Sequence, residues 1–437
     1  LTASGAGSVV LCATAAATWV GNIALISNFG GSGFIFGRYE VVSVVPGVSF
    51  STDRNCTSGV ATGGFANVGG ALASMGTMLV EMNTAQSTSM QGWVKNNADQ
   101  LFNPGIGGLL GVGSTGSTAN YATHIYGYGT THGDNQRVNL VAQGSSFELL
   151  SQTGNWCQTT YHNFVFNGGY STYTGVTGVN NSSNRGSQWH NCIFTHCGLY
   201  ALLANDGSPT LVDCEVTDCG ISAGSAVVQC NASSSAVFIR VWVHKNKNGA
   251  LTTDSHTTVV DSVIVNGLTG GANVGKGPAF ISGGDAFQIV VTGNLIYGHN
   301  SDGLFFSDIR SFGKAIVQSN IIAKNGGWGI NVAVAGTSNF PNFVSRNFFY
   351  GNTSGVISNS YAIDSTNITV SVNPFNGNET NLLADTDYDF SLNSATTGGA
   401  LIRNAGAPGS IASMPTAVGY RDGGPLNHQE ALRGTMI

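Results

Sequence analysis

A short phrase recurs along the middle of the chain: a polar residue, then alternating apolar residues, then a turn rich in Asn and Gly. It opens at Asn163, Asn191, Asp213, Arg240, Asp261, Asn294, Asn320 and Asn347. Successive starts lie between 21 residues (Arg240 to Asp261) and 33 residues (Asp261 to Asn294) apart. One turn of a parallel β-helix takes about this length, with three strands of about 5 residues and three bends. A single coil cannot bury its apolar face alone. Stacked coils bury a continuous column and satisfy one another's backbone donors. The all-β alternatives are a sandwich and a propeller, and propeller blades repeat at about 40–45 residues. The period therefore predicts an all-β, right-handed parallel β-helix.

The later copies agree beyond the strand. Residues 293–308, 319–334 and 346–360 each read strand, Asn-containing bend, Gly, strand. The bend residues Asn300, Asn325 and Asn352 suit a left-handed backbone. Gly303, Gly329 and Gly355 suit tight turns or close approach of neighbouring coils.

Composition narrows the classes. Only 9% of residues are charged, against about 25% in ordinary soluble domains. Gly (62 residues), Ser, Thr and Asn fill the deficit, and 42% hydrophobic residues argue against disorder. No run approaches the roughly 18 apolar residues of a spanning helix. A net charge of −6 with no basic stripe argues against a nucleic-acid partner. The opening residues lack a charged segment followed by an apolar core, so the chain reads as processed or trimmed and any targeting signal lies outside it.

Eight Cys are present, and none forms a Cys-x-x-Cys pair. Cys192 and Cys214 are 22 residues apart, as are Cys197 and Cys219, so each pair is expected to stack in adjacent coils. Buried thiols are favoured over disulfides, since free Cys behaves as a small hydrophobe. Cys12, Cys56, Cys157 and Cys230 have no evident partners.

The organisation expected is a small β-rich module over residues 1–65, a parallel β-helix over 66–406 and an extended C-terminal tail over 407–437. Residues 69–83 have the apolar spacing of a short helix, suited to capping the open first coil. Residues 387–393 and 400–406 read as a final ordered wrap.

The coil phrases, followed by Tyr-Asp-Phe-Ser-Leu-Asn at 388–393 and by Ala-Leu-Ile-Arg-Asn-Ala-Gly at 400–406, resemble right-handed β-helix repeat proteins of the pectate-lyase-like superfamily. They also resemble uncharacterised bacterial surface proteins and phage spike or appendage proteins. The resemblance implies the fold and says little of activity, because this fold hosts lyases, hydrolases, adhesins and structural spikes. The Asn-Thr-Asp, Asp-Asp and Gly-His-Gly phrases of the polygalacturonases are absent, so no catalytic residue carries over.

Local constellations remain. Asp302, Asp308 and Arg310, with Asp285 a coil earlier, and Asp254 with His256 are the candidate catalytic groups. Two carboxylates about 5–9 Å apart suffice to hydrolyse a glycoside. Asp at bends also makes ordinary turn hydrogen bonds, which is the stronger reading here. His132 with Asp134 reads as a loop hydrogen-bond pair. Asp385, Asp387 and Asp389 alternate in a way that supplies oxygen ligands to calcium; no other cofactor is indicated. Tyr121, Tyr126, Tyr128, Tyr170 and Tyr173 suit a sugar-stacking face or packing beneath loops.

These features favour a non-enzymatic structural or adhesive protein at the cell or virion surface, self-assembling into a homo-oligomer and facing surface polysaccharide. The alternatives are a polysaccharide lyase or glycoside hydrolase, and a glycan-binding protein without turnover.

Overall fold

A computed structural model describes residues 1–27, 33–68, 75, 90–96, 100–102, 110–112, 123–144, 148–153, 159–169, 175–182, 186–220, 226–231, 235–247, 249–253, 256–265, 288–306, 314–332, 343–358, 364–377, 390–403 and 405. The chain is a right-handed parallel β-helix preceded by a small antiparallel module.

Three parallel sheets form the column. Sheet I has ten strands, from Met90–Lys95 to Phe343–Ser345. Sheet II has eleven, from Gln100–Phe102 to Ile368–Thr369. Sheet III has a six-stranded block, from Leu110–Val112 to Leu251–Thr253, and a three-stranded block, from Leu304–Phe306 to Gly355–Ile357. Each coil contributes one strand to a sheet, so in-register neighbours such as Phe166, Phe194, Val216, Val243 and Ile264 stack as an inner column. These side chains belong to one buried core.

Two corners flank each sheet II strand, and their backbone explains the recurring phrase. Left-handed residues sit there: Asn191, Asp213, Arg240 and Asp261 at the corner between sheets I and II, and His196, Asp218, Lys245 and Lys324 at the far corner. The expected left-handed Asn300, Asn325 and Asn352 are not among them. In two of these cases the left-handed residue is the one before, Lys324 or Gly351. The same offset separates the early phrases from the late ones. Asp261 opens its phrase at the left-handed position, whereas Asn294, Asn320 and Asn347 follow Gly293, Ser319 and Arg346, which occupy it.

The residue after the left-handed one points inward and forms a ladder. Ser262 donates its backbone N–H to Asn294 Oδ1 (2.8 Å), Asn294 to Asn320 Oδ1 (2.9 Å), Asn320 to Asn347 Oδ1 (3.1 Å) and Asn347 to Asn367 Oδ1 (3.0 Å). Each amide also donates to a sheet I carbonyl one coil earlier, as Asn320 Nδ2 does to Val291 O at 2.8 Å. A corner interrupts the strand ladder, and a buried N–H there must find another acceptor. Asn supplies acceptor and donor at once.

In earlier coils thiols hold the same rungs. The Cys192 and Cys214 side chains flank one corner, and Cys197 and Cys219 the other, stacked in successive coils as their spacing predicts. Cys214 Sγ donates to Trp189 O at 3.3 Å, the counterpart of the Asn320 amide bond. Cys197 N–H reaches Cys219 Sγ at 3.4 Å. All four are free thiols. Gly303 and Gly329 mark close approach of coils: a Cβ on Gly329 would lie 2.7 Å from Phe349 and 2.8 Å from Val356 O.

The N-terminal module is a seven-stranded antiparallel sheet, from Thr2–Ser4 to Phe65–Val68, closed over Val10, Ile26, Phe34, Val41 and Phe50. Tyr128 Oη donates to Gly21 O at 2.9 Å and ties the module to the first coils. Of residues 69–83 only Met75 is described; it is helical and buried in the column's core. At the far end Val370, Phe375, Leu392 and Ile402 pack onto the outer face of sheet II, against Leu295, Tyr297, Ile321 and Phe348. The final wrap is therefore a strap ending in the short helix Gly399–Arg403. Residues 407–437 lie outside the described residues.

Candidate functional site on the outer face of sheet I

Outward positions of sheet I carry aromatic and imidazole rings in consecutive coils. Strand residues alternate faces, and in-register residues of successive coils stand about 4.8 Å apart, so like-facing rings must stack. Tyr126 lies opposite Trp93 on one side and His162 on the other; His162 lies opposite His190. Ring centroids are 4.5 Å apart for Trp93–Tyr126, 4.5 Å for Tyr126–His162 and 4.8 Å for His162–His190, with interplanar angles of 21°, 12° and 20°. His132, from the loop after Thr123–Tyr128, stacks on Trp93 at 4.2 Å and 13°. Five rings thus form one continuous ladder along the helix axis.

All five residues are half-buried. Their faces cover one another, so the solvent-facing part is the ring edges. Those edges carry the indole N–H, the Tyr126 hydroxyl and the imidazole nitrogens of His162 and His190, whereas His132 has Nδ1 on Glu40 and Nε2 buried. Burial, then the neighbouring His190 and His124, lowers the His162 pKa from 6.5 to about 4. Burial also lowers that of His190, against the nearby Asp213 carboxylate. These two imidazoles are neutral at neutral pH.

Charged groups bound the ladder: Lys95, two residues past Trp93 on the same strand, carries its ammonium beside Gly21 of the N-terminal module, and the others are engaged as follows. At one end His132 Nδ1 meets Glu40 Oε2 of the N-terminal module at 2.9 Å. At the other Arg240 grips Asp213 through Nε–Oδ1 (2.5 Å) and Nη2–Oδ2 (2.8 Å). Arg137 donates to Asn191 O (3.0 Å) and Asn191 Oδ1 (2.5 Å) along the adjoining corner. Asp134 organises the loop beneath His132. Burial pulls its carboxyl up, but N–H groups of Gly129, Gln136, Thr130 and Thr131 outweigh that and hold it at about 2. His132 and Asp134 therefore serve different partners.

Of the sequence candidates, Asp302 is buried at a bend near sheet III. It accepts the Trp328 N–H at 2.7 Å and the Asn331 amide at 2.8 Å, tying one coil to the next. His256 begins a sheet I strand, exposed, and accepts the Gln288 N–H through Nδ1 at 3.0 Å. Asp254, Asp285, Asp308, Arg310, Asp385, Asp387, Asp389, Tyr121, Tyr170 and Tyr173 lie outside the described residues. Tyr126 is a ring of the ladder and Tyr128 is buried beside it. Among the described residues, no group of three or more His, Cys, Asp or Glu is placed to hold a metal ion. No helix there is long and apolar enough to cross a membrane.

Sequence reasoning missed the ladder, although its signal was present. Aligned by strand, Met90–Lys95, Thr123–Tyr128, Thr159–His162 and Gln188–His190 each place an aromatic or His at the same outward position.

A second outward pair lies on sheet II. His244 Nε2 and Glu215 Oε1 are 2.8 Å apart, with side chains only 4% and 18% exposed, and Trp242 stacks on His244 at 3.8 Å.

No protein-family model matches the chain, and no curated protein matches it in sequence. Solved structures similar to it include a pectin methylesterase from Aspergillus niger in deglycosylated form. That match has 9% identity and a TM-score of 0.33, covering 72% of this chain and 92% of that one. A variant of the catalytic domain of a GH87 α-1,3-glucanase, in complex with nigerose, is 11% identical with a TM-score of 0.32, covering 85% of this chain and 86% of that one. Likeness at this level speaks to no activity.

Proposed function

We propose that this protein is an adhesive β-helix that binds polysaccharide along the outer face of sheet I. The observation that carries the reading is the ring ladder. It presents neutral polar edges at the strand repeat, about 4.8 Å, close to the rise of one sugar along an extended glycan. Hydroxyl groups of successive sugars then meet successive ring edges. The same reading places the protein outside the cell or on a virion, assembled with copies of itself.

The test is retention by a panel of insoluble polysaccharides, using wild type and a Tyr126→Phe/His162→Phe/His190→Phe variant. Phe keeps the stack and removes the polar edges. Wild type should be retained by at least one polymer, and the variant's affinity should fall at least tenfold, about 1.4 kcal/mol, with an unchanged circular dichroism spectrum. Equal retention of both proteins, or none of wild type, refutes the reading.

A catalytic reading rests on Glu215–His244. A carboxylate-paired imidazole is a competent general base, and Trp242 beside it suits a sugar ring. Release of reducing ends or unsaturated sugars, abolished by Glu215→Gln, would establish it. Absence of both products from every polymer that binds would remove it.

A further inference from the structure

We infer that the ring ladder selects an uncharged polysaccharide, which lies along the helix axis across the strands of sheet I. The inference rests on the glycan-binding reading above and adds the substrate class and its direction.

A carboxylated polymer is recognised by cations free to pair with it, most specifically by an Arg fork. Among the described residues flanking the ladder, Lys95 offers a point charge rather than a fork and stands two strand positions to the side of Trp93, beside Gly21, and the Arg240 fork is already closed on Asp213 by two bonds. Arg137 spends Nε and Nη2 on Asn191. His132 is matched by Glu40. At the Arg240 end a uronate would have to displace Asp213 or approach beside it, against like charge. Burial and crowding keep His162 and His190 uncharged at neutral pH. Sugar hydroxyls meet no such obstacle, because they both donate and accept, as do the tyrosine hydroxyl and the neutral imidazole.

Direction follows from the stack. The rings succeed one another from coil to coil at 4.2 to 4.8 Å. A chain running parallel to the strands would meet only one ring, whereas a chain running across them meets the edges of Trp93, Tyr126, His162 and His190 in turn.

The experiment uses a neutral polymer that retains the protein, and the same polymer after oxidation of its primary alcohols to carboxylates, at pH 7. The neutral form should bind at least tenfold more tightly. Its affinity should change less than twofold between about 0.05 and 0.5 M salt, where charge pairing would be screened away. Asp213→Asn provides the complementary test. Asn is tolerated at this left-handed corner, since Asn191 holds it one coil earlier. Freeing Arg240 should raise affinity for the oxidised polymer at least fivefold while leaving neutral binding within twofold.

Tighter binding of the oxidised polymer by wild type, weakening steeply with salt and lost in the triple Phe variant, would overturn this inference and leave the glycan-binding reading standing. Neutral binding unaffected by the triple Phe substitution would instead overturn the reading itself.

Discussion

Replacing His299 with Asn should make the protein markedly less sensitive to acid. His299 is fully buried at the far corner of sheet II, donating its backbone N–H to Asn325 Oδ1 at 3.1 Å. The following rungs are Asn325 and Asn352, joined by the same bond at 3.1 Å. Burial lowers the imidazole pKa to about 4, against the pull of the Ile264 carbonyl. The unfolded chain takes up this proton near pH 6.5, the folded chain only near pH 4. The stability this group contributes is therefore complete above pH 6.5 and is lost as pH falls toward 4. At 1.36 kcal/mol per pKa unit the loss comes to about 3 kcal/mol. Asn at this rung does not titrate, and its amide is placed to donate to Asn325 Oδ1, as Asn325 Nδ2 does to Asn352 Oδ1 at 2.8 Å. The smaller side chain leaves a gap costing about 1 kcal/mol at neutral pH. The assay is urea unfolding of both proteins at pH 7.5 and pH 4.5. Carboxylates and the remaining histidines titrate alike in both, so they cancel in the difference. Wild type should lose about 2–3 kcal/mol more than the variant between the two pH values. Equal losses would refute the buried, neutral His299.

Three further outcomes follow from the corners and the module junction. Asn320→Ala removes the acceptor of the buried Asn294 N–H and opens a cavity; unfolding should show a loss of about 3–5 kcal/mol, with Asn320→Asp no substitute because it lacks the donor to Val291. Cys192, Cys197, Cys214 and Cys219 are buried, which raises the Cys214 and Cys219 thiols well above their ordinary pKa. Mass-spectrometric mapping after alkylation should find these four unmodified in the native protein and labelled in denaturant. Tyr128→Phe deletes the bond to Gly21 O; amide exchange of the N-terminal module should accelerate by about fivefold, matching a hydrogen bond of about 1 kcal/mol, while exchange in sheet I around Val291 stays unchanged.

The column was legible because its rule is local. Alternating apolar residues, a bend and a fixed period describe any coil, and Cys192/Cys214 even revealed the register of two neighbours. The one-residue offset between Asp261 and Asn294 was not legible. Asn suits both the left-handed corner, as at Asn191, and the inward rung, as at Asn320, and a single sequence does not separate these uses. The ring ladder escaped notice for a different reason. His162 and His190 are 28 residues apart in the chain and meet only through strand pairing, so their proximity appears once the coils are aligned by strand rather than by phrase. Asp302 shows the converse. Its place at a bend favoured turn hydrogen bonds over chemistry, and its oxygens do accept backbone and amide N–H groups, but those of Trp328 and Asn331 in the next coil rather than of its own turn.

The most direct test of the central claim is a crystal structure with a neutral oligosaccharide of five or more sugars. Density should run along the helix axis against the edges of Trp93, Tyr126, His162 and His190, with hydroxyls within hydrogen-bond distance of at least two of them. An oligosaccharide seated elsewhere, or lying parallel to the sheet I strands, would contradict it.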